Sequence, residues 1–538
     1  MIRPSYPPLE NKTLPDFFAQ DILQKYSTRA ALICPSEKPR AHGGPPSKNQ
    51  TSHALAWDFE EFNRAIDAVG ERVSSFGPHV HLIQYLASAY ATLQWAAARI
   101  GAILATINPA YAIDELASTL RLVGVKHLVI VPALRSSKYF NHLLTERFPA
   151  LANSRPGDIQ EPELPDLRNL IVVNNSDEYE LVKPAIDWRE RKTVKDIAQG
   201  LDKDDVINLQ FTSGTTGMPK AVSLTHHNLL NNGISIGRCM NISEKDILCA
   251  SIRFLGNLAI WSHGACIVYP SDSFNPAAIV NALVKEKCTA LHGVPTHFLG
   301  VLAEVERRKS RGEEVDLSNL RTGIAAGTSV PIELMRRLIS EMNLRDLTNA
   351  YGMTETSPVS FQTTITDPIV KRVETVGKVL PHVKAKIYRH ARYWNDEEHT
   401  RQEDDSDTGI LDEEGYLKSK FLRSILVLKL IHAIREAAIV AVPDGEYGEV
   451  VGAWIVRSTG AGSGRISRDD VRKMVREKMN PQTAPAWVWF VGEDGTPDEL
   501  PKTASGKVMK HVLRKWSKEL AERGVGKVRS LSLCTPRS

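Results

Sequence analysis

Cysteine is scarce in this sequence. Its 538 residues include six cysteines, which are scattered along the chain. None of them forms a Cys-x-x-Cys pair, the spacing used by zinc sites and thiol redox motifs. A disulfide scaffold is typical of short, cysteine-dense secreted chains, which this one is not. We therefore expect reduced thiols in an intracellular protein, without a zinc site.

Long apolar runs are also missing. The best candidate, residues 425–431, is interrupted by Lys429, and a membrane-spanning helix needs about 20 predominantly apolar residues. The first eight residues lack the apolar core of a signal peptide. The final residues, Arg537 and Ser538, do not form the Ser-Lys-Leu peroxisomal address. These features predict a cytoplasmic protein without stable membrane insertion, and they leave a peroxisomal location open.

Charge of one sign is not in excess. The formal net charge is +4, and no long basic run is present, so nothing in the charge pattern favours nucleic acid as a partner. The apolar fraction of 42% and the charged fraction of 24% are ordinary for a globular protein. A chain of this length is too long for one core, and it predicts two or more domains.

The most informative segment that is present is the run FTSGTTGMPK at residues 211–220. Its glycines allow backbone N–H groups to approach phosphate oxygens, its hydroxyls can donate further hydrogen bonds, and Lys220 adds a positive charge. The apolar residues 206–211 predict a strand before this loop, and residues 225–229 predict the opening of a helix after it. Strand, glycine-rich loop and helix in this order are typical of phosphate binding.

Two alternatives to this interpretation are a P-loop and an ordinary surface loop. A P-loop needs four residues between its glycines and then Gly-Lys-Ser/Thr, whereas only Thr215 and Thr216 separate Gly214 from Gly217, and Ala221 follows Lys220. The P-loop is therefore excluded. If this segment is considered alone, the alternative that it is a surface loop rich in small polar residues stays open.

Two further segments decide between these interpretations. NAYGMTET occupies residues 349–356, and LPKTASGK occupies residues 500–507. Together with the first loop, they resemble the signature of the adenylate-forming (ANL) superfamily of AMP-binding enzymes, which includes acyl-CoA synthetases, luciferases and adenylation domains. The resemblance extends from about Pro8 to about Arg514. Residues 107–111 and 261–265 are most similar to the fatty-acyl-CoA synthetase branch.

The residue pattern and the resemblance predict an α/β fold with two domains. Helix-like and strand-like segments alternate through the first part of the chain, which favours parallel sheets flanked by helices. The acidic residues 395–407 predict an exposed loop, and short strands with a Ser467-capped helix at 468–478 follow. The ANL resemblance implies a large, multi-subdomain α/β adenylation domain over residues 1–417. It also implies a small α+β lid domain over residues 418–538.

Activation of a carboxylate by ATP brings two anions together, so the site must neutralise charge and align the reactants. The resemblance implies that the first loop holds the β- and γ-phosphates, that Tyr351 stacks on the adenine and that Thr354 bonds the α-phosphate. Gly327 and Thr328 match the position that borders the adenine and the acyl group. The resemblance further implies that Glu355 holds Mg²⁺, whose preferred ligands are carboxylate and phosphate oxygens. The nucleotide-binding candidates are Thr212, Ser213, Gly214, Thr215, Thr216, Gly217, Lys220, Gly327, Thr328, Tyr351 and Gly352.

The catalytic candidates are Lys507, Thr354 and Glu355. Lys507 resembles the lysine that bridges the substrate carboxylate and the α-phosphate, a role that suits a point charge on a long stem. In the family the small domain then rotates, removes this lysine and admits coenzyme A. Taken alone, Lys507 could be a surface residue of a basic segment, Tyr351 an aromatic at a turn and Glu355 a solvated carboxylate.

Four segments depart from the family pattern. A Gly-Asp-Arg-Val strand is replaced near residues 77–88, and a Pro-Leu-Phe-His segment of the acyl tunnel is missing near 250–254. The Thr-Gly-Asp motif becomes Thr408-Gly409-Ile410, with Asp412 nearby, and the hinge is replaced at 418–434, where Arg423 is a weak substitute. Mispredicted introns would explain these losses, and this explanation is favoured. Real divergence that weakens ribose binding and domain rotation is the other.

The resemblance implies ATP-dependent conversion of a medium- or long-chain carboxylic acid to an acyl-adenylate and then to acyl-CoA. ATP, Mg²⁺ and coenzyme A would be required, and the product could pass to an acyltransferase or a peptide synthetase. A ligase for an aromatic or polyketide-derived acid is one alternative. A nucleotide-binding pseudoenzyme is another, which the altered ribose and hinge motifs favour and the intact Lys220, Glu355 and Lys507 oppose.

Overall fold

The structure is a computed structural model. It describes residues 7–42, 54–74, 79–83, 88–107, 113–130, 147–154, 157–172, 198–213, 219–250, 255–326, 332–385, 409–411, 414–419, 434–444, 448–458, 466–478, 484–502 and 508–528.

The strands of the described residues are numbered in chain order: β1 Ala30–Cys34, β2 Leu55–Asp58, β3 His79–Ile83, β4 Ile103–Ile107, β5 His127–Ile130, β6 Asn169–Val172, β7 Val206–Ser213, β8 Pro219–Thr225, β9 Ile247–Ala250, β10 Cys266–Val268, β11 Ala290–Gly293, β12 Thr322–Ala326, β13 Asp346–Gly352, β14 Val359–Gln362, β15 Lys378–Val379, β16 Gly409–Leu411, β17 Leu417–Ser419, β18 Ile434–Asp444, β19 Gly448–Arg457 and β20 Trp487–Phe490.

The α-helices of the same residues are α1 Leu14–Phe17, α2 Gln24–Tyr26, α3 Phe59–Ser74, α4 Ser88–Arg99, α5 Ile113–Leu122, α6 Ala150–Asn153, α7 His226–Cys239, α8 Leu255–Trp261, α9 Pro276–Lys285, α10 Pro295–Ser310, α11 Ile332–Met342, α12 Ile369–Glu374, α13 Arg468–Lys478 and α14 Lys510–Glu522. A π-helix joins α1 to α2 at Phe18–Leu23, and a 3₁₀ turn lies at Thr354–Thr356.

Two large sheets form the main part of the described chain. One has six strands in the order β6-β5-β3-β4-β7-β8, and the other has nine in the order β15-β14-β13-β12-β11-β9-β10-β1-β2. Neighbouring strands from β6 to β7 in the first sheet, and from β13 to β1 in the second, are parallel. The predicted α/β class with parallel sheets is therefore confirmed.

The main core packs the two sheets together. Leu32 and Ile267 of the nine-stranded sheet belong to the same buried cluster as Leu104 and Ile207 of the six-stranded sheet. Side chains of α3, α4, α7 and α8 fill the cluster, and Trp261 of α8 is fully buried and donates its indole N–H to the Ala31 carbonyl at 2.9 Å. Apolar burial of this extent is the main favourable term for holding two sheets in contact.

The strand expected to be lost near residue 80 is present, so that expectation is wrong at the level of structure. β3 lies between β4 and β5 and pairs in parallel with both. Parallel pairing uses backbone groups, which are the same for any non-proline residue. The segment His-Val-His-Leu-Ile can therefore replace the family's motif without breaking the sheet.

The glycine-rich loop joins two strands, which corrects the strand-loop-helix prediction. The predicted strand at 206–211 continues to Ser213 as β7, and the chain returns as β8, antiparallel to it. Helix α7 begins only after β8, at the predicted place, with Thr225 as its N-cap and Asn228 closing a capping box. The helix N-terminus consequently lies beside Val206, at the opposite end of the hairpin from Ser213 and Pro219.

The C-terminal part of the chain contains a small three-stranded sheet. β18 pairs antiparallel with β19, and β19 pairs parallel with β20. Ile439 faces a cluster that contains Val471 of α13, whereas the next residue, Val440, faces a cluster that contains Leu513 of α14. The predicted helix at 468–478 is confirmed, and Ser467 and Asp470 form its reciprocal cap.

Several predictions concern residues outside the described ranges. The acidic loop at 395–407, Thr408, Asp412 and Arg423 belong to this group. The domain boundary between residues 417 and 418 also stays a prediction. It falls within β17, which forms a hairpin with β16. Tyr416 in this hairpin donates a 2.6 Å hydrogen bond to Asp367, which ties the hairpin to the preceding residues.

Candidate active site

The candidate phosphate loop, residues 214–218, connects the two strands of a β-hairpin. Thr212 of β7 pairs directly with Lys220 of β8, and Ser213 pairs with Pro219. Directly opposed residues of an antiparallel pair project to the same face of the sheet, so the Thr212 hydroxyl and the exposed Lys220 ammonium belong to one face. Gly214, Thr215, Thr216 and Gly217 lie between these strand ends, outside the described residues, as does the Ser213 side chain.

The second motif begins at the carboxyl end of β13 and continues into a tight turn. Gly352 permits this turn, because a Cβ atom there would overlap the Pro358 carbonyl oxygen. The Thr356 hydroxyl lies 2.9 Å from the Met353 carbonyl oxygen and 3.0 Å from that of Pro358. Ser357 has a left-handed backbone with φ of 78°, which costs a non-glycine residue energy and is frequent at functional sites.

The two motifs meet at Thr212 and Glu355. The Thr212 hydroxyl donates to Oε1 of Glu355 over 3.1 Å, although the residues are 143 positions apart. The carboxylate of Glu355 is exposed. One exposed carboxylate beside a hydroxyl is a set of oxygen donors that fits Mg²⁺, which is usually bound through one or two carboxylates, substrate phosphates and water.

Tyr351 and Thr354 lie on either side of Gly352 in the same segment. The Tyr351 ring is half-buried and packs edge-to-face on Phe361 of β14, with ring centroids 6.2 Å apart. Thr354 opens the 3₁₀ turn that contains Glu355. The structure thus brings Thr212, Lys220, Tyr351, Gly352, Thr354 and Glu355 into one region at strand ends, the edge where α/β sheets bind ligands.

The remaining candidates lie just beyond described residues. Ala326, which precedes Gly327, pairs with Ala350, which precedes Tyr351, so the chain enters residues 327–328 from beside the second motif. Lys507 is likewise outside the described residues. The residues on either side of its segment, Lys502 and Val508, form an antiparallel bridge.

Some residues near these motifs have structural roles that the sequence did not reveal. Asn349, the first residue of the second motif, is buried and donates to the Thr375 carbonyl at 3.0 Å. Asn232 of α7 contacts the backbone of Val359, directly after the Glu355 turn. No local pattern distinguishes Asn232 from its neighbour Asn231, and only the fold identifies its partner.

The start of α7 is fixed by a buried histidine. Nδ1 of His226 accepts the Leu14 backbone N–H at 3.1 Å. Burial, partly opposed by nearby Asp205 and Asp16, lowers the pKa of His226 to about 4. The ring is therefore neutral at physiological pH and can accept this hydrogen bond, so the helix that continues the phosphate-loop hairpin is anchored to the N-terminal segment.

Two other kinds of site are absent from the described residues. They contain no group of three or more His, Cys, Asp or Glu residues arranged to hold a metal. No helix in these ranges is both long and apolar enough to cross a bilayer.

Sequence comparisons place this chain in a known family. The chain matches the AMP-binding enzyme family over residues 58–400 and the AMP-binding enzyme C-terminal domain over residues 427–507. An acyl-CoA ligase of Aspergillus fumigatus is 35% identical over 88% of this chain and 89% of its own length. A mitochondrial medium-chain acyl-CoA ligase of Danio rerio is 27% identical over 94% of this chain and 88% of its own length.

A solved structure shows the same fold. The anthranilate CoA ligase AuaEII in complex with anthranoyl-AMP superimposes with a TM-score of 0.69, covers 96% of this chain and 99% of its own, and is 19% identical. The chain belongs to the AMP-binding enzyme family and has the ANL fold. It is an acyl-CoA ligase, an enzyme that activates a carboxylic acid with ATP and uses coenzyme A.

Proposed function

We propose that this ligase converts a medium- or long-chain carboxylic acid to an acyl-adenylate and then to acyl-CoA. A carboxylate oxygen attacks the α-phosphorus and pyrophosphate leaves. The coenzyme A thiol then attacks the acyl carbon, and AMP leaves with the electrons of the broken acyl–oxygen bond. The Danio rerio relative is a medium-chain ligase and aligns over nearly the whole chain, which supports this acid class.

The observation that carries the proposal is the Thr212–Glu355 hydrogen bond. It places the end of the phosphate hairpin against the turn that follows Tyr351. A triphosphate held by residues 212–217 and Lys220 would therefore have Glu355 beside it. Such fixed positioning of charge is the main catalytic device for a reaction between two anions.

Each candidate has a role in this scheme. The terminal phosphates are bound by Thr212, Ser213, Gly214, Thr215, Thr216, Gly217 and Lys220. The adenosine and the acyl group are bordered by Tyr351, Gly352, Gly327 and Thr328. Thr354 donates a hydrogen bond to the α-phosphate. Glu355 would hold Mg²⁺, which would supply positive charge beside the phosphate oxygens. Lys507, from a lid domain that begins at residue 418, neutralises the carboxylate and α-phosphate during adenylation.

The test is carboxylate-dependent ATP–pyrophosphate exchange with the full chain, over straight-chain acids from acetate to palmitate and a set of aryl acids. We expect exchange with acids of medium or long chain, and acyl-CoA formation with the same acids. Exchange with aryl acids alone would replace the proposed substrate class by an aromatic one. A folded protein that binds ATP but exchanges with no acid would contradict the proposal and favour a pseudoenzyme.

A further inference from the structure

Two adjacent asparagines of α7 each clamp the backbone of a distant residue. Nδ2 of Asn232 donates to the Val359 carbonyl at 2.8 Å, and its Oδ1 accepts the Val359 N–H at 3.3 Å. Asn231 does the same for Glu10, with distances of 2.9 and 2.8 Å. In each case one side-chain amide pairs with both backbone groups of one residue, as a neighbouring strand would.

The two clamps hold different parts of the molecule. Neighbouring residues on a helix point about 100° apart, so one face of α7 holds the N-terminal segment and another holds β14. Glu10 belongs to no part of the candidate site. Val359 is the first residue of β14 and follows the turn at 352–358, which contains Thr354 and Glu355.

The position of Asn232 connects both halves of the site. Helix α7 continues directly from β8, whose first residues pair with the end of β7 beside the phosphate loop. Asn232 lies near the middle of α7 and is 8% exposed. A buried two-way hydrogen bond of this kind fixes a distance more firmly than an exposed one, because its loss leaves backbone groups without partners.

The Glu355 turn depends on external support. It is held internally by the Thr356 hydroxyl, which also accepts from Ser360 at 2.7 Å, and it contains the left-handed Ser357. A turn that includes an unfavourable backbone conformation persists when its surroundings fix it. Among the described residues, hydrogen bonds from outside the turn and its hairpin join Thr212 to Glu355 and Asn232 to Val359, and the Val359 side chain also packs against the main core.

We propose that Asn232 is a positioning residue, which holds the Glu355 turn in register with the phosphate-loop hairpin so that Glu355 can bind the magnesium of MgATP. This inference rests on the role of Glu355 in the proposed function. Asn232 acts through the backbone of Val359 and does not itself touch the nucleotide.

The test compares Asn232→Ala with Asn231→Ala, its matched control, in the full chain. Each variant loses one two-way clamp, so both should lower the melting temperature by a similar amount. Calorimetric titration with MgATP should show about tenfold weaker binding for Asn232→Ala, the usual effect of removing a partner that orients a metal ligand. Binding of ATP in EDTA should change less, and Asn231→Ala should retain wild-type affinity for MgATP.

Asn232→Asp keeps the shape of the side chain and the acceptor for the Val359 N–H but removes the donor. It should give an intermediate affinity, and it tests the proposal if Asn232→Ala does not fold. Equal MgATP affinity in Asn232→Ala and Asn231→Ala, or equal losses with and without Mg²⁺, would overturn the inference. Exchange assays with wild-type protein separate this result from the proposed function, since MgATP affinity can be measured whether or not any acid is activated.

Discussion

Lys507 is the single residue on which adenylation should depend most. In the proposed reaction it neutralises two anions at the moment they combine, so Lys507→Ala should lower carboxylate-dependent pyrophosphate exchange by roughly a hundredfold or more, as loss of a preorganised charge donor does elsewhere. Conversion of a supplied acyl-adenylate to acyl-CoA should be spared, because this step follows the departure of the lysine. Both rates can be measured on the same preparation.

Lys502 offers a control for that variant. It lies five positions earlier in the same basic segment and pairs with Glu436 at 2.8 Å. Lys502→Ala removes a similar charge and should leave exchange close to wild type. An unchanged exchange rate in Lys507→Ala, or an equal loss in both variants, would remove Lys507 from the catalytic residues.

His226 should make the stability of the protein sensitive to acid. Its pKa is about 4 in the folded protein against an ordinary value of 6.5, so the unfolded chain binds more protons between these pH values. The contribution of His226 to the stability of the fold is therefore fully present above pH 6.5. About 3 kcal/mol of stability is lost as the pH falls from 6.5 through 4. Urea unfolding midpoints at pH 7, 5.5 and 4.5 would measure the decline.

His226→Asn provides the comparison for the acid effect. Its amide oxygen can accept the Leu14 N–H but cannot take up a proton, so the decline with pH should be shallower. Part of the decline should persist, because burial also lowers the pKa of His292 to about 4. Identical pH dependence of the two proteins would show that His226 does not supply the effect.

At the scale of elements, the packing of α7 against α8 should be intolerant of added atoms. A Cβ on Gly237 would lie 2.5 Å from the Ala259 carbonyl oxygen and against the His263 ring. A backbone oxygen within a helix cannot move aside readily, so Gly237→Ala should destabilise the protein by about 1–3 kcal/mol despite the higher helix propensity of alanine. Ser235→Ala in the same helix should change the unfolding midpoint little, and equal effects in thermal melts would contradict the prediction.

Local signals explain which elements the sequence could predict. The helix at 468–478 has its cap within three residues of its start, and the strand at 206–211 is an apolar run next to a glycine-rich loop. β8 was not expected, because its pairing partner lies across the loop and its own sequence mixes polar and apolar residues. The role of Asn232 was out of reach, since its partner is 127 positions away.

The motif residues themselves could be predicted, and their geometry could not. Three ordered motifs were enough to nominate Thr212, Lys220, Tyr351 and Glu355. The hydrogen bond between Thr212 and Glu355 depends on how two sheets pack, which is a property of the buried core shared by both. Periodicity within one segment contains no information about that packing.

At the scale of the whole molecule, residues 418–538 should fold as an independent unit. The small sheet has a buried cluster on each face, closed by α13 on one side and α14 on the other, and a sheet covered on both faces can be stable alone. A fragment of these residues should show a cooperative thermal transition by circular dichroism. A Val440→Asp version, with a charge in one of the two clusters, should not, and a non-cooperative melt of the unsubstituted fragment would contradict the proposed boundary.

The position of β3 indicates where coding sequence could be missing from the gene. The backbone hydrogen bonds of a parallel sheet require an extended run of residues, and many different residues that favour strands can supply it. Drift can therefore erase a recognisable motif while the strand persists. Since β3 ends at Ile83 and α4 begins at Ser88, any coding sequence lost here should be sought between these two codons, and a recovered exon should extend this connection without altering the strand before it.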